Sequence, residues 1–259
     1  MKYILFIILG IIGLVIAYIL LLAISTRFVN AKKEYDTNSP YFRFLLASST
    51  AMALPLLRVK IHITGMELVP KTGRFLLVGN HRSKFDSIVT WHVLRKQNIS
   101  YISKPENFKV PGYGRVIRKC AFLPIDRENP RNALKTINKA AELLKNDVVS
   151  IGVYPEGTRS HDGSLLPFRD GVFKIAQKAQ VPILVLAIRG AENICKNWYK
   201  RRTDVYVDFI DLIEPEKVCS LKTVQIGQII HDELSEALAR DSEPSVRYRS
   251  DKPGVENSL

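Results

Sequence analysis

A histidine and an aspartate stand five positions apart in Gly79-Asn80-His81-Arg82-Ser83-Lys84-Phe85-Asp86-Ser87, directly after the apolar run at residues 75–78. Histidine is the side chain whose free pKa, about 6.5, suits proton transfer near neutrality. A carboxylate bonded to one ring nitrogen fixes the tautomer and stabilises the imidazolium, leaving the other nitrogen to act as base. On a regular helix, residues five apart point about 140° away from each other. The two therefore meet only if His81 sits in a strand-to-helix turn and Asp86 opens the helix beyond it. By spacing alone, the stretch reads more readily as a polar turn leaving a strand.

Three more segments carry side chains with binding chemistry at the ends of apolar runs. In Tyr154-Pro155-Glu156-Gly157-Thr158-Arg159-Ser160, glycine permits close backbone approach, the hydroxyls add donors and Arg159 presents a planar fork suited to phosphate. The alternative there is a capped turn with a solvated arginine. Phe122-Leu123-Pro124-Ile125-Asp126-Arg127 places another arginine at a strand end, and Val181-Pro182-Ile183 opens an apolar strand that shapes the site without doing chemistry.

Elements must exist to bring these segments together. Strand-like runs occupy residues 59–63, 74–78, 100–103, 121–125, 148–154, 183–188 and 205–210. Between and after them, Leu134, Ile137, Ala141 and Leu144, and then Ile226, Ile229, Ile230, Leu234, Ala237 and Leu238, recur at helical spacing. Alternation of this kind predicts a single α/β domain over residues 58–240, with helices packed on a mainly parallel or mixed sheet. Residues 241–259 are polar and aperiodic and read as a flexible tail.

The first 57 residues read as a membrane anchor. Residues 3–24 carry no charged side chain, and about 20 apolar residues suffice to cross a bilayer core. A cleaved signal peptide is the alternative, but its apolar region is usually only about 7–15 residues. Arg27, Lys32 and Lys33 behind the run favour a cytoplasmic face for the rest of the chain. Residues 44–57, between Arg43 and Arg58, are too short to span and read as an interfacial helix, with a buried core helix as the alternative. A net charge of +13 then points to anionic lipid and phosphate as partners, not to nucleic acid.

Taken together and in this order, the four segments resemble the glycerolipid acyltransferase family, marked by N-H-x-x-x-x-D, an arginine block, F-P-E-G-T-R-S and V-P-I. The resemblance covers roughly residues 58–215. Tyr154 stands where phenylalanine is commoner, and Phe168-Arg169-Asp170-Gly171 resembles the family's F-basic-x-G stretch with arginine for lysine. It implies that His81 is a general base toward the sn-2 hydroxyl of a lysophosphatidate, oriented by Asp86. Arg127 and the block Glu156, Gly157, Thr158 and Arg159 would hold the acceptor's phosphate, with Asn80, Ser83 and Arg169 lining the site. The implied enzyme is an O-acyltransferase at the cell membrane, making phosphatidate. It takes acyl-CoA or acyl-carrier protein as co-substrate and needs no cofactor or metal. No G-x-S-x-G elbow occurs, so direct transfer is favoured over a serine acyl-enzyme.

Other features read more plainly. His62, His92 and His231 fit structural or exposed positions, and His161-Asp162-Gly163 reads as a turn. Three scattered cysteines show neither metal spacing nor a disulfide framework. Lys104, Lys109, Arg115, Arg118 and Lys119 form a candidate surface for carrier protein or CoA phosphates. The mixed cluster at residues 196–202 is a solvated loop or a contact for lipid headgroups. Two rival readings stay open: a family member with another lysolipid or acylated acceptor, and a catalytically silent protein that binds anionic lipid.

Overall fold

The computed structural model describes residues 2–31, 33–160 and 162–239, without the side chains of Leu5, Ile8 and Ile11. The flexible tail expected at 241–259 and the His161 position of the expected turn lie outside the described residues.

Seven strands form one sheet: β1 (Val59–Thr64), β2 (Leu76–Gly79), β3 (Ile99–Ser103), β4 (Leu123–Pro124), β5 (Ser150–Val153), β6 (Ile183–Arg189) and β7 (Thr203–Ile213). They lie in the order β1-β7-β6-β2-β5-β3-β4. Every pairing is parallel except β6 with β7, so β1 and β7 run against the other five. All seven strand-like runs thus form strands, although β4 shrinks to two residues. Ala121 there adopts a left-handed conformation (φ 58°), and Pro124 has no N–H to extend the edge.

The helices are α1 (Lys2–Arg27), α2 (Pro40–Leu56), α3 (Asp86–Val93), α4 (Tyr113–Lys119), α5 (Pro130–Lys145), α6 (Lys174–Ala179), α7 (Ile194–Asn197), α8 (Pro215–Ser220) and α9 (Thr223–Ala239). Strand side chains alternate between two cores. Leu77, Leu184, Leu186 and Ile188 join α2, α3 and α4 on one face. Leu76, Val78, Ile183 and Val185 join α5, α6, α8 and α9 on the other. Burial on both faces explains why β2 and β6 read as unbroken apolar runs.

At the N-terminus, α1 runs antiparallel to α2. Tyr18 Oη donates to the Leu45 carbonyl at 3.0 Å, and the Ser25 and Tyr41 hydroxyls meet at 2.6 Å. The apolar side chains described along α1, from Tyr3 to Ile24, are mostly exposed. Among the described residues no helix is long and apolar enough to cross a membrane, and positions 5, 8 and 11 interrupt the described part of α1.

The second N-terminal helix is longer than the expected 44–57 and combines both readings of it. Phe42, Leu45, Leu46 and Leu54 enter the core, while Phe44 and Leu56 face outward. Arg43 is not a flanking residue at all. It is buried, and its guanidinium donates to the carbonyls of Asn98 and Ile99 and to Ser100 Oγ, fastening α2 to β3.

Candidate active site

Parallel strands that share a direction deliver their carboxyl ends to one edge of the sheet, where α/β proteins bind ligands. Here β2, β5, β3 and β4 are neighbours, and the dispersed polar segments leave from those ends: His81 after β2, Tyr154 after β5, Lys104 after β3 and Arg127 after β4.

The loop after β2 turns sharply into α3 because Asp86 gathers its backbone. Asp86 Oδ2 accepts N–H bonds from Arg82 at 2.7 Å and Ser83 at 2.6 Å. The same oxygen lies 2.9 Å from His81 Nδ1. A carboxylate only accepts, so Nδ1 carries the proton and Nε2 is left free to take one. The Asp86 side chain is 1% exposed and that of His81 is 18% exposed, so the pair is rooted in protein and open at its tip. Thr90, one turn along α3, donates to the Asp86 carbonyl at 2.7 Å. Tyr154 stacks on the imidazole with ring centroids 4.4 Å apart and an interplanar angle of 12°.

His81, Tyr154, Arg127 and Arg159 line one cleft of about 430 Å³, together with Lys84, Ser87, Tyr101 and Lys104. Behind Tyr154 lies a smaller, mostly apolar cavity of about 180 Å³, walled by Ile102, Ile125, Ile137, Val153 and Val172. Arg127, Thr158, Gly157 and Arg169 share a third recess with Lys104. Arg127 belongs to all three. Its guanidinium is lowered from the usual arginine range by burial and then by the neighbouring charge of Arg169. Glu106, Asp126 and Glu128 line the same recess, and Glu106 offsets part of that repulsion, so the two guanidiniums offer donors for an anion beside carboxylates. Gly157 has φ +69°, a left-handed backbone that strains any other residue, and a Cβ there would also press on Arg169 Nε at 2.9 Å.

Several expected site residues have other duties. Both oxygens of the Glu156 carboxylate are taken by backbone, accepting from His81 N at 2.5 Å and Leu166 N at 3.0 Å. Glu156 therefore braces the loop and does not hold phosphate; burial raises its pKa, against the lowering effect of the two N–H bonds. Asn80 does not line the cleft. Its amide is buried and exchanges two hydrogen bonds with the Ile188 backbone, at 2.8 and 2.9 Å. Ser83 is likewise buried, donating to the Ala191 carbonyl at 3.0 Å.

Of the basic surface, only Lys104 reaches the cleft. Arg115 bonds the Thr26 carbonyl and Lys119 lies over Tyr35, so these two hold the N-terminal segment, while Arg118 lies over Phe108. His62 pairs with Asp204, His92 with Thr50 and His231 packs on Phe168. Among the described residues no group of His, Cys, Asp and Glu is arranged to hold a metal ion. Tyr101 and Thr90 are the participants that the sequence did not reveal, and the one local signal is that Thr90 stands four residues after Asp86.

Comparison with known proteins places this geometry in context. Residues 60–189, which include all four segments, match the family model described as Acyltransferase. The 1-acyl-sn-glycerol-3-phosphate acyltransferase alpha of Mus musculus is 30% identical over 145 residues, covering 56% of this chain and 50% of the relative. The 1-acyl-sn-glycerol-3-phosphate acyltransferase of Haemophilus influenzae is 28% identical over 139 residues, 54% of this chain and 58% of the relative. The chain thus spans about half the length of these curated relatives. Among solved structures, the crystal structure of the 1-acyl-sn-glycerophosphate (LPA) acyltransferase PlsC from Thermotoga maritima matches with a TM-score of 0.65 at 24% identity, over 80% of this chain and 83% of that one. At that identity the likeness establishes the fold.

Proposed function

The chain belongs to the Acyltransferase family, and from that premise we propose that it moves a fatty acyl group from acyl-CoA or acyl-carrier protein to the sn-2 hydroxyl of 1-acyl-sn-glycerol 3-phosphate, forming phosphatidate. The observation that carries the proposal is one cleft lined by His81, with Asp86 buried behind it, and by two arginines, Arg127 and Arg159. A proton acceptor beside cationic anchors suits an alcohol that carries a phosphate.

In this reading His81 Nε2 removes the hydroxyl proton as the oxygen attacks the thioester carbonyl. The C–S bond breaks, and the imidazolium returns the proton to the departing thiolate. Asp86 holds Nδ1 throughout, so the ring needs no reorientation while its charge changes. Arg127 and Arg159, with Arg169, Thr158 and Gly157 beside Arg127, receive the phosphate. A thioester is already activated, and no covalent acyl-enzyme is needed.

Membrane attachment through residues 3–24, with the catalytic domain on the cytoplasmic face, is part of the proposal. It is supported by the exposed apolar length of α1 and by the outward-facing Phe44 and Leu56 of α2. The experiment is to supply membranes containing the full chain with a panel of lysolipids and labelled acyl donors. Transfer to lysophosphatidate is expected, and transfer confined to another lysolipid would replace the acceptor named here. No transfer to any acceptor, with lipid binding intact, would favour the silent lipid-binding reading.

A further inference from the structure

The acyl-transfer reading assigns chemistry to His81 and Asp86 but leaves Tyr154 unused, although its ring covers one face of the imidazole. Behind it, Tyr101 stacks on Tyr154 in turn, with centroids 5.9 Å apart and planes within 7°. The three rings, His81, Tyr154 and Tyr101, form one nearly parallel ladder running from the cleft into the core.

Its far end is set by a missing side chain. Tyr101 lies over Gly152 of β5, where a Cβ would fall 2.3 Å from its ring. Any other residue would push the ladder toward the histidine.

Hydrogen bonding closes the arrangement into a ring of contacts. Thr90 has one hydroxyl proton, and it is spent on the Asp86 carbonyl. Its lone pairs therefore accept from both tyrosines, Tyr101 at 2.5 Å and Tyr154 at 3.3 Å. Both phenols are raised above their ordinary pKa by burial first, so they remain donors across the working range. Asp86 thus holds the imidazole through Nδ1. Its own helix, through Thr90, holds the ring that covers the imidazole face.

We propose that Tyr154 is a positioning residue for the base: its ring fixes the imidazole plane so that Nε2 faces the cleft, while its hydroxyl, bound to Thr90, fixes the ring. The stack carries most of this and the hydroxyl the remainder. The inference rests on the acyl-transfer reading, so its test has a readout that needs no turnover.

The test compares Tyr154→Phe and Tyr154→Leu in the full chain. With Phe, kcat is expected within about 3-fold of the parent. With Leu, kcat falls about 10- to 100-fold, within what general acid–base catalysis contributes, and KM for both substrates changes little. In parallel, NMR of ring-labelled histidine, with His81 assigned through His81→Ala, reads the stack itself. The His81 ring protons are expected upfield in the parent and the Phe variant, and near their free positions in the Leu variant.

Unchanged kcat with Leu overturns the proposal, and so does a Phe variant as impaired as Leu. Absence of the upfield shift in the parent overturns the geometry. A parent without acyl transfer to any acceptor would sink the functional reading, while the NMR comparison would still decide whether Tyr154 holds the ring.

Discussion

The backbone N–H of His81 donates to the Glu156 carboxylate at 2.5 Å, joining loops 75 residues apart in sequence. The Ser160 N–H returns to the His81 carbonyl at 2.9 Å, so both backbone polar groups of the histidine are held by the segment after β5. Glu156→Gln should therefore impair catalysis without touching substrate. An amide offers one acceptor where two N–H groups need partners, and a mispaired buried donor costs about 1–3 kcal/mol. We expect a Tm lower by several degrees and kcat reduced more than KM. Unaltered thermal unfolding and turnover would contradict the bracing role.

Removing the base itself should be more severe. His81→Ala is expected to lower turnover by at least about 10²-fold, while binding to lipid vesicles persists. Asp86→Asn should also lower turnover: the amide oxygen can still accept from the three N–H groups, but the neutral side chain no longer balances the imidazolium, and its NH2 enters the buried position where Oδ1 has no partner. Steady-state kinetics on both variants, with circular dichroism as a folding control, checks this.

The arginines should act on the acceptor alone. Arg159→Ala and Arg127→Ala are each expected to raise KM for the phosphorylated acceptor about 10-fold or more, since charge-assisted bonds contribute about 1.5–3 kcal/mol. KM for the acyl donor should hold steady. An effect confined to the donor would reverse the assignment of the phosphate site.

Far from the cleft, Glu233 links stability to pH. Burial first, and the charge of Asp211 next, push its carboxyl up to about 7, with Lys217 pulling it back. Between the unfolded value, about 4.3, and about 7, the folded chain binds more protons than the unfolded one, so stability falls as pH rises through that window. Glu233→Gln should flatten this dependence and raise Tm at pH 8 relative to the parent. Because the side chain is only half buried, screening keeps the gain to about 1–3 °C. Thermal melts between pH 5 and 8 give the comparison.

The membrane attachment proposed for α1 would gain a second contact at the loop over residues 196–202. Trp198 and Tyr199 are 51% and 61% exposed, and they lie among the exposed Lys196, Lys200, Arg201 and Arg202. Thr203 N bonds the Arg58 carbonyl at 3.1 Å, which sets this loop beside the end of α2. Neutralising Lys200, Arg201 and Arg202 together should weaken partitioning onto anionic vesicles by about 5-fold per charge at low salt, with little change on neutral vesicles. Equal loss on both kinds of vesicle would point to disruption of the fold instead.

Local pattern determined a good deal of this protein. Seven strand-like runs became seven strands, since β2 and β6 are apolar on both faces and no helix period fits them. The His81/Asp86 spacing also carried its own geometry: five residues can bond only across a strand-to-helix turn, and that turn is where they lie. Both depend on near neighbours in the chain, and side-chain period and reach are local properties.

Tertiary structure decided the rest. Nothing in residues 203–213 announces that β7 runs against β6, because strand direction follows from connection and packing. Glu156 and Asn80 sat within motifs that suggested ligand contact, yet their polar atoms answer backbone groups brought from Leu166 and Ile188. Arg43 reads only as a charged flank of residues 44–57 until β3 supplies its carbonyls. Buried polar atoms must find partners, and which partners are in reach is fixed only when the sheet places distant segments side by side.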